Sequence, residues 1–441
     1  MKRLVLDFRA IGRCRELRHA AGMSLLLAHH LRSRIALTTI AMALLLAGAT
    51  PTAHAGITQP FEPKTTVALA PGITFAKGTM TTTGGRPQSV RVATVEPARD
   101  GVRLKSVLSN DKVVKREIVT KMALRKSTPA REAMVATNGD MSTRDRVDAY
   151  AAPQSMAASN GELLLAQACT RPTLGIDPDG SVHVGDVRVH VTAIPPGRSR
   201  PKQIHRVNTH RDDAKTVLFT KRFASSTRTS GGREVILELE GLLRPNGTQT
   251  VRVLKVRRGG NTTLRAGQAV LSVKNPKAGW VRDLRVGQRF ELQTQVVRNV
   301  DNRCGGTIAL ASGWAEISEA LGGNHFTARH GKVAAPSRSA YPAGVQRHPR
   351  TGVGVTDDGR VLMITVDGRR SSSAGVTLAE MGRLMLSLGA THAFNLDGGG
   401  STVMARRMLD SGEFRVANKP SDGRQRPATQ SLVAFEVAPA P

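Results

Sequence analysis

The 441-residue chain carries 64 basic against 34 acidic side chains, a formal charge of +30, and is 40 % hydrophobic, enough for one large domain or two. Aromatic residues make up 3 % of it and the basic residues are scattered, so base-stacking nucleic-acid platforms are not expected. A surface this basic favours other anionic partners, such as phosphorylated glycans or teichoic-acid-like polymers.

Residues 1–55 read as a signal peptide. Eight basic residues precede an apolar run, Ile35 to Ala47, which ends near the A-x-A pattern Ala53-His54-Ala55. That run is shorter than the ~20 residues a spanning helix needs, so no membrane span is expected after cleavage. Removing eight basic and two acidic residues lowers the charge from +30 to +24. Cleavage predicts an exported protein beginning at Gly56, secreted or held in the cell envelope. Cys14 leaves with this segment, and in an oxidising compartment the remaining pair, Cys169 and Cys304, is expected to form a disulfide.

Residues 56–100 read as an N-terminal arm and first strands, irregular to Gly85 with one strand at most. Ser89–Val95 and Val102–Val107 alternate apolar with polar residues and predict strands. Glu117–Arg125 predicts a short helix, and Ala133–Thr137 a strand that runs into Asn138-Gly139-Asp140. A β-rich middle section follows over about 161–312. Its expected strands are Ser181–Val184, Val187–Val191, Thr216–Thr220, Glu234–Leu239, Thr250–Val256, Ala269–Val273 and Phe290–Val297. The basic connection Arg198–Arg211 is expected to be a solvated loop, and Trp314–Leu321 a short helix.

The region from Val361 to Met404 organises the rest. Val361–Val366 is a continuous apolar run ending in Asp367-Gly368-Arg369. Thr377 and Glu380 form a T-x-x-E capping box, Leu378, Met381, Leu384, Met385 and Leu388 recur at helical spacing, and Gly389 stands at the C-terminal cap. Ala393–Leu396 is a second short strand, ending in Asp397-Gly398-Gly399-Gly400-Ser401. A strand–helix–strand unit in one sheet makes a parallel, right-handed crossover. Asp367 and Asp397 then leave the same sheet edge with zero or one strand between them. A hairpin, Gly352–Thr356 to Val361, sets Arg350 near the exit of the Asp367 strand. The expected class is α+β, with β-rich mixed sheets, few helices and the crossover carrying the site.

These motifs, NGD at 138–140, HPRTGVG from His348, VDGR at 366–369, LDGGGS at 396–401 and NKPSDGRQRP at 418–427, resemble in order those of the phosphodiester glycosidases. The resemblance covers about Gly101 to Val437, so residues 101–441 are taken as one phosphodiester glycosidase-like domain. It implies hydrolysis of a sugar-1-phosphodiester to free sugar and phosphomonoester. The matching motifs place Asn138, Asp140, Arg350, Asp367, Arg369, Asp397 and Ser401 around one pocket. Two departures stand out: Met141-Ser142 replaces the aromatic that usually follows the NGD turn, and Gly322-Gly323-Asn324-His325-Phe326 alters the glycine-rich segment before HPRT.

The chemistry asks for a cation on the phosphate and acid–base help at the anomeric carbon. Arginine's planar fork suits phosphate oxygens, which points to Arg350 and Arg369, with Arg424 or Arg426 in reserve. Asp397 and Asp367, with Asp140 as a third, are the expected catalytic carboxylates, acid and base unassigned. Asn138, Ser401, Gly398 and Gly399 are expected at the substrate. No cofactor is required, although clustered aspartates on glycine turns could hold Ca²⁺. The competing reading is a cell-wall or exopolysaccharide binding protein that keeps the fold without turnover.

Overall fold

The computed structural model describes residues 56–143, 152–212, 215–274, 279–301, 304 and 306–438. The expected signal peptide and Cys14 lie outside the described residues, which all belong to one unit of the chain.

Among the described residues there are three α-helices, α1 (Val119–Lys126), α2 (Gly279–Asp283) and α3 (Leu378–Ser387), against three sheets. The class is α+β and strongly β-rich, as the sequence predicts. An eight-stranded sheet runs in the order Ile57–Ala70, Ile73–Thr82, Arg86–Val95, Val361–Val366, Arg350–Thr356, Ala390–Asn395, His325–Arg329 and Lys332–Val333. A five-stranded sheet runs Phe414–Val416, Met404–Arg407, Arg131–Asn138, Gln430–Val437 and Val102–Leu108. The middle section supplies a separate 13-stranded sheet, with strands drawn from Ala157 to Gly322.

The two smaller sheets stack with a helix on each outer face. Along Val361–Val366 every residue is buried, and alternate side chains enter different cores. Val361 and Met363 meet Leu104, Val135, Leu432 and Met404 of the five-stranded sheet. Leu362, Ile364 and Val366 meet Met381, Leu384 and Met385 of α3. On the far side of the five-stranded sheet, Ala133, Ala136, Val433 and Phe435 pack on Val119 and Met122 of α1. This helix–sheet–sheet–helix layering explains why the central strands read as unbroken apolar runs: both of their faces are covered.

The organising region folds as expected. The hydroxyl oxygen of Thr377 accepts the Glu380 N–H at 3.1 Å, and the Glu380 carboxylate accepts the Thr377 N–H at 2.9 Å, closing the capping box. Gly389 follows the helix in the left-handed region, at φ 92°. Val361–Val366 and Ala390–Asn395 each pair antiparallel with Arg350–Thr356, so they run parallel to one another with that one strand between them. Arg350 is registered opposite Val366, at the exit of the Asp367 strand. Cys169 and Cys304 form the expected disulfide.

Four local expectations change. The arm is two long strands, Ile57–Ala70 and Ile73–Thr82, forming a hairpin on the edge of the eight-stranded sheet. Its threonine-rich sequence is mostly exposed on the outer strand and needs no strong apolar alternation. Ser181–Val191 is not two strands but part of one, Val182–Ile194, because it pairs on both sides along its length. Trp314–Leu321 is a turn leading to the strand Glu319–Gly322. The buried Trp314 ring lies over Gly175 and Gly185, where a Cβ would stand 2.7 and 3.1 Å from ring atoms, and this packing overrides helical spacing. In Arg198–Arg211, two short strands form, and Arg211 is buried with its guanidinium donating to the Ser272 hydroxyl and to Ser230 O.

Candidate active site

The motifs separated in sequence come together where the carboxyl ends of the Val361 and Ala390 strands meet the end of Arg131–Asn138. Asn138 is the knot. Its Nδ2 donates to Asp397 O at 2.7 Å, and its Oδ1 accepts from Thr351 Oγ1 at 2.8 Å and from Val403 N at 3.0 Å. Gly139 O accepts the Asp397 N–H at 3.0 Å, and Pro349 O accepts the Gly399 N–H at 2.8 Å. The NGD, HPRT and DGGGS turns are thus fastened to one another through main-chain atoms. Asn138 is completely buried, so the residue expected at the substrate is placed within the scaffold. Ser401 is likewise buried in the turn, its N–H donating to Gly398 O.

The three aspartates sit in different surroundings. Asp367 is 2 % exposed; its Oδ1 accepts from Asn418 Nδ2 and from Lys419 N, both at 3.0 Å. Arg91, buried beside it, places Nη1 3.6 Å from Asp367 Oδ2. Asn418 Oδ1 accepts the Met404 N–H, so the Asp367 contact ties the NKPSDGR loop to both sheets. Asp397 is half-buried on the glycine turn.

Asp140 is 2 % exposed. Its Oδ2 accepts two main-chain N–H groups, Gln154 at 2.6 Å and Ser155 at 2.7 Å, while among the described residues Oδ1 has no hydrogen-bond partner. Burial pushes its carboxyl up to about 6, against the N–H groups and the charge of Arg171, which pull the other way.

Arginines cover the glycines after Asp397. A Cβ on Gly398 would stand 3.0 Å from Pro349 O and 3.7 Å from Arg350 Cδ. On Gly399, at φ 61°, it would stand 3.0 Å from Arg369 Nη2. On Gly400 it would run into Arg426 Nη2 and the Asp422 carboxylate, which pair at 2.5 Å. Three bare Cα atoms therefore let three guanidinium-bearing chains close over one turn.

These arginines are not equivalent. Arg350 is buried, with Nε donating to Val376 O at 3.1 Å and Nη2 to Ala343 O and Gln346 O at 2.6 and 3.0 Å. Burial pulls its pKa below the ordinary arginine value; the Tyr341 hydroxyl opposes this and Arg369 adds to it. Arg369 is exposed and adopts φ 59°, a left-handed conformation stabilised by the close Gly368–Pro349 approach on one side and the Ala374 carbonyl on the other. His348, near both arginines, has its pKa lowered by burial and then by their charge. Arg424 is exposed on the neighbouring loop.

Arg91, Arg171, the Gln154 and Ser155 N–H groups and the His325–Tyr341 ring pair escape the sequence reading. Only Arg91 leaves a signal, a charge at an inward position of an alternating strand. Among the described residues no three His, Cys, Asp or Glu side chains come together as a metal-holding group.

A family model described as phosphodiester glycosidase matches residues 226–435, which contain the HPRT, VDGR, DGGGS and NKPSDGR turns. Over these residues the chain is similar to the phosphodiester glycosidases. The NGD turn lies ahead of the matched phosphodiester glycosidase region and joins it through the Asn138 contacts. An uncharacterized prophage-derived protein of Bacillus subtilis strain 168, YomE, is 42 % identical over 86 residues, which are 20 % of this chain and 12 % of that protein. A hypothetical protein of Synechocystis superposes with a TM-score of 0.66 at 15 % identity, over 86 % of this chain and 64 % of its own. A Burkholderia pseudomallei K96243 protein described as exported gives 0.59 at 21 % identity, over 80 % and 74 %. At these identities the two structures share the fold. The chain spans a small part of its curated relative and just under two thirds of the Synechocystis protein.

Proposed function

We propose that the protein is an exported hydrolase that cleaves a sugar-1-phosphodiester on envelope or extracellular glycans into free sugar and phosphomonoester. The observation that carries this reading is an arginine-covered glycine turn after Asp397 that is joined to the Asp140 turn by the main-chain bond from Asp397 N–H to Gly139 O. Cationic forks at one end suit a phosphodiester; carboxylates at the other suit the anomeric carbon. The similarity of residues 226–435 to the phosphodiester glycosidases supports the reaction class, and the disulfide supports an oxidising compartment. The Burkholderia pseudomallei protein of like fold is described as exported, which agrees.

In the reaction, Arg369 and Arg426 bind the non-bridging phosphate oxygens, while Arg350 fixes the turn from beneath. Asp140 Oδ1 takes a proton from water as its oxygen bonds to the anomeric carbon. The bond from that carbon to the phosphate oxygen breaks, and its electron pair leaves on the phosphomonoester. Asp397 stabilises positive charge developing on the sugar ring. A phosphate leaving group needs little protonation, so one base suffices, and a carboxyl titrating near pH 6 is well matched to that task. Asp140 then returns its proton to solvent.

A panel of sugar-1-phosphodiesters offered to the purified protein tests the reading. Release of free sugar and phosphomonoester from at least one member is expected. Binding without turnover across the panel would reassign the chain as a glycan-binding protein on this fold.

A further inference from the structure

The positive charge over the glycine turn continues along the surface as a band. Arg369 stands over Gly399, and Arg370 follows it on an exposed turn closed by the Arg370 N–H to Ser373 O bond. Lys419, whose N–H holds Asp367, and Arg424, between Asp422 and Arg426, are exposed on the loop that covers Gly400. That loop runs on to α1. Gln425 accepts the Thr120 N–H at 3.2 Å and donates to the Thr120 hydroxyl at 3.0 Å, and Ala428 O accepts the Glu117 N–H at 3.0 Å. Beside these two anchors Arg116 and Lys121 are exposed.

The acids along this path are already matched: Asp367 by Arg91, Asp422 by Arg426 and Glu117 by Arg125. Among the described residues Arg369, Arg370, Lys419, Arg424, Arg116 and Lys121 form no ion pair. Elsewhere many exposed arginines face an acid, as Arg198 does Asp283 and Arg252 does Glu238, each at 2.8 Å. Unpaired cations occur away from the band too, Lys255 and Arg258 among them. The band is set apart by starting at the glycine turn and following one loop outward.

We propose that this band binds successive phosphates of a polyanionic chain, so that the substrate is a polymer of glycosyl phosphates rather than an isolated diester. This rests on the phosphodiester reading. The scissile phosphate needs only the cations over the glycine turn. Exposed charges reaching from there to α1 gain from a ligand whose anionic groups repeat. Such a chain engages them in turn, each further contact being intramolecular once the first is made. Like charges along one loop repel one another until a polyanion enters, and their field draws that polyanion toward the site.

The test compares a multi-unit glycosyl phosphate oligomer with the single-unit methyl diester of the same sugar, taken from a panel member that the full chain hydrolyses. At low salt the oligomer is expected to show a KM lower by roughly tenfold or more, and high salt should erase most of that margin. In the double variant Arg116→Gln, Lys121→Gln the KM for the oligomer should rise about three- to tenfold, the worth of two exposed ion pairs. The single unit should be cut as before. Lys255→Gln with Arg258→Gln removes the same charge from the 13-stranded sheet and should change neither substrate. Equal KM values for oligomer and single unit overturn the proposal and leave the phosphodiester reading standing. An equal loss in the Lys255 and Arg258 variant also overturns it, by reducing the band to net charge. Vesicles of anionic phospholipid that bind through Arg116 and Lys121 more tightly than the oligomer would assign the band to a membrane surface and overturn the polymer. Hydrolysis of no diester at all would remove the reaction and the polymer substrate together.

Discussion

Asn138 and Asp397 are 259 residues apart in the chain, yet the Asn138 side-chain amide donates to the Asp397 main-chain oxygen over 2.7 Å. The bond joins the five-stranded sheet to the eight-stranded one at the point where both end in glycine turns. It also fixes the main-chain carbonyl of the residue that bears the proposed catalytic carboxylate.

Replacing Asn138 by Ala removes one donor and one acceptor that together make three buried bonds. Each buried partner left unsatisfied costs about 1–3 kcal/mol. A loss of several kcal/mol in denaturant unfolding is expected, with activity falling in step with the folded fraction. A variant as stable as the parent would show that the three turns do not depend on this knot.

Asp367 and Asp397 should part company when each is changed to Asn. Asp367→Asn leaves the buried Arg91 without its counter-charge, and breaking a buried pair costs about 3–5 kcal/mol, so the thermal midpoint should drop clearly. Asp397→Asn, at a half-buried turn, should keep the midpoint within a few degrees and cut turnover by roughly 10²-fold or more. Equal losses of stability in the two variants would contradict this division of labour.

Asp140 supplies the pH dependence. Its folded-state pKa, about 6, lies above the ordinary value of 3.8, so the folded protein binds the extra proton between these values. Its contribution therefore favours folding at low pH and is lost as pH rises from about 4 to 6. Relative to Asp140→Asn, the parent should lose stability across that window and show no further divergence above it. As a base, Asp140 must be ionised, so kcat/KM should climb through about pH 6 and level off above. A rate falling through the same region would make Asp140 the acid instead.

Gly399→Ala tests the glycine floor. Alanine is strained at φ 61°, by roughly 1–2 kcal/mol, and its methyl would press Arg369 Nη2 at 3.0 Å. KM for a phosphodiester should rise several-fold while stability falls by no more than the strain. An unchanged KM would place phosphate recognition away from Arg369.

Chelation separates the remaining alternative. Among the described residues no metal-holding group of acidic or histidine side chains forms, and Asp367 and Asp140 already accept N–H groups. Turnover is expected to survive EDTA. Loss with recovery on adding Ca²⁺ would return the aspartates to the role of ligands.

The elements around Val361–Met404 were legible because their signals are local. A capping box, a helical repeat of apolar residues and a buried strand ending in Asp-Gly each depend on neighbours within a few residues. The hairpin before it could be read the same way, and with it the place of Arg350 opposite Val366. The order of the turns along the chain was enough to point to the family that residues 226–435 resemble.

What tertiary structure decided is the use of each polar group. Asp367 and Asp397 look alike in sequence, each a strand-end Asp before glycine. One is enclosed by Asn418, Lys419 and Arg91, the other stays half-buried on its turn. Asn138 became a scaffold residue because three distant segments bring it their hydrogen-bonding groups. Trp314 lost its expected helix to two glycines from strands well over a hundred residues earlier. Burial and hydrogen-bond partners are long-range quantities, summed over segments whose meeting depends on sheet pairing, and periodicity along the chain carries no record of them.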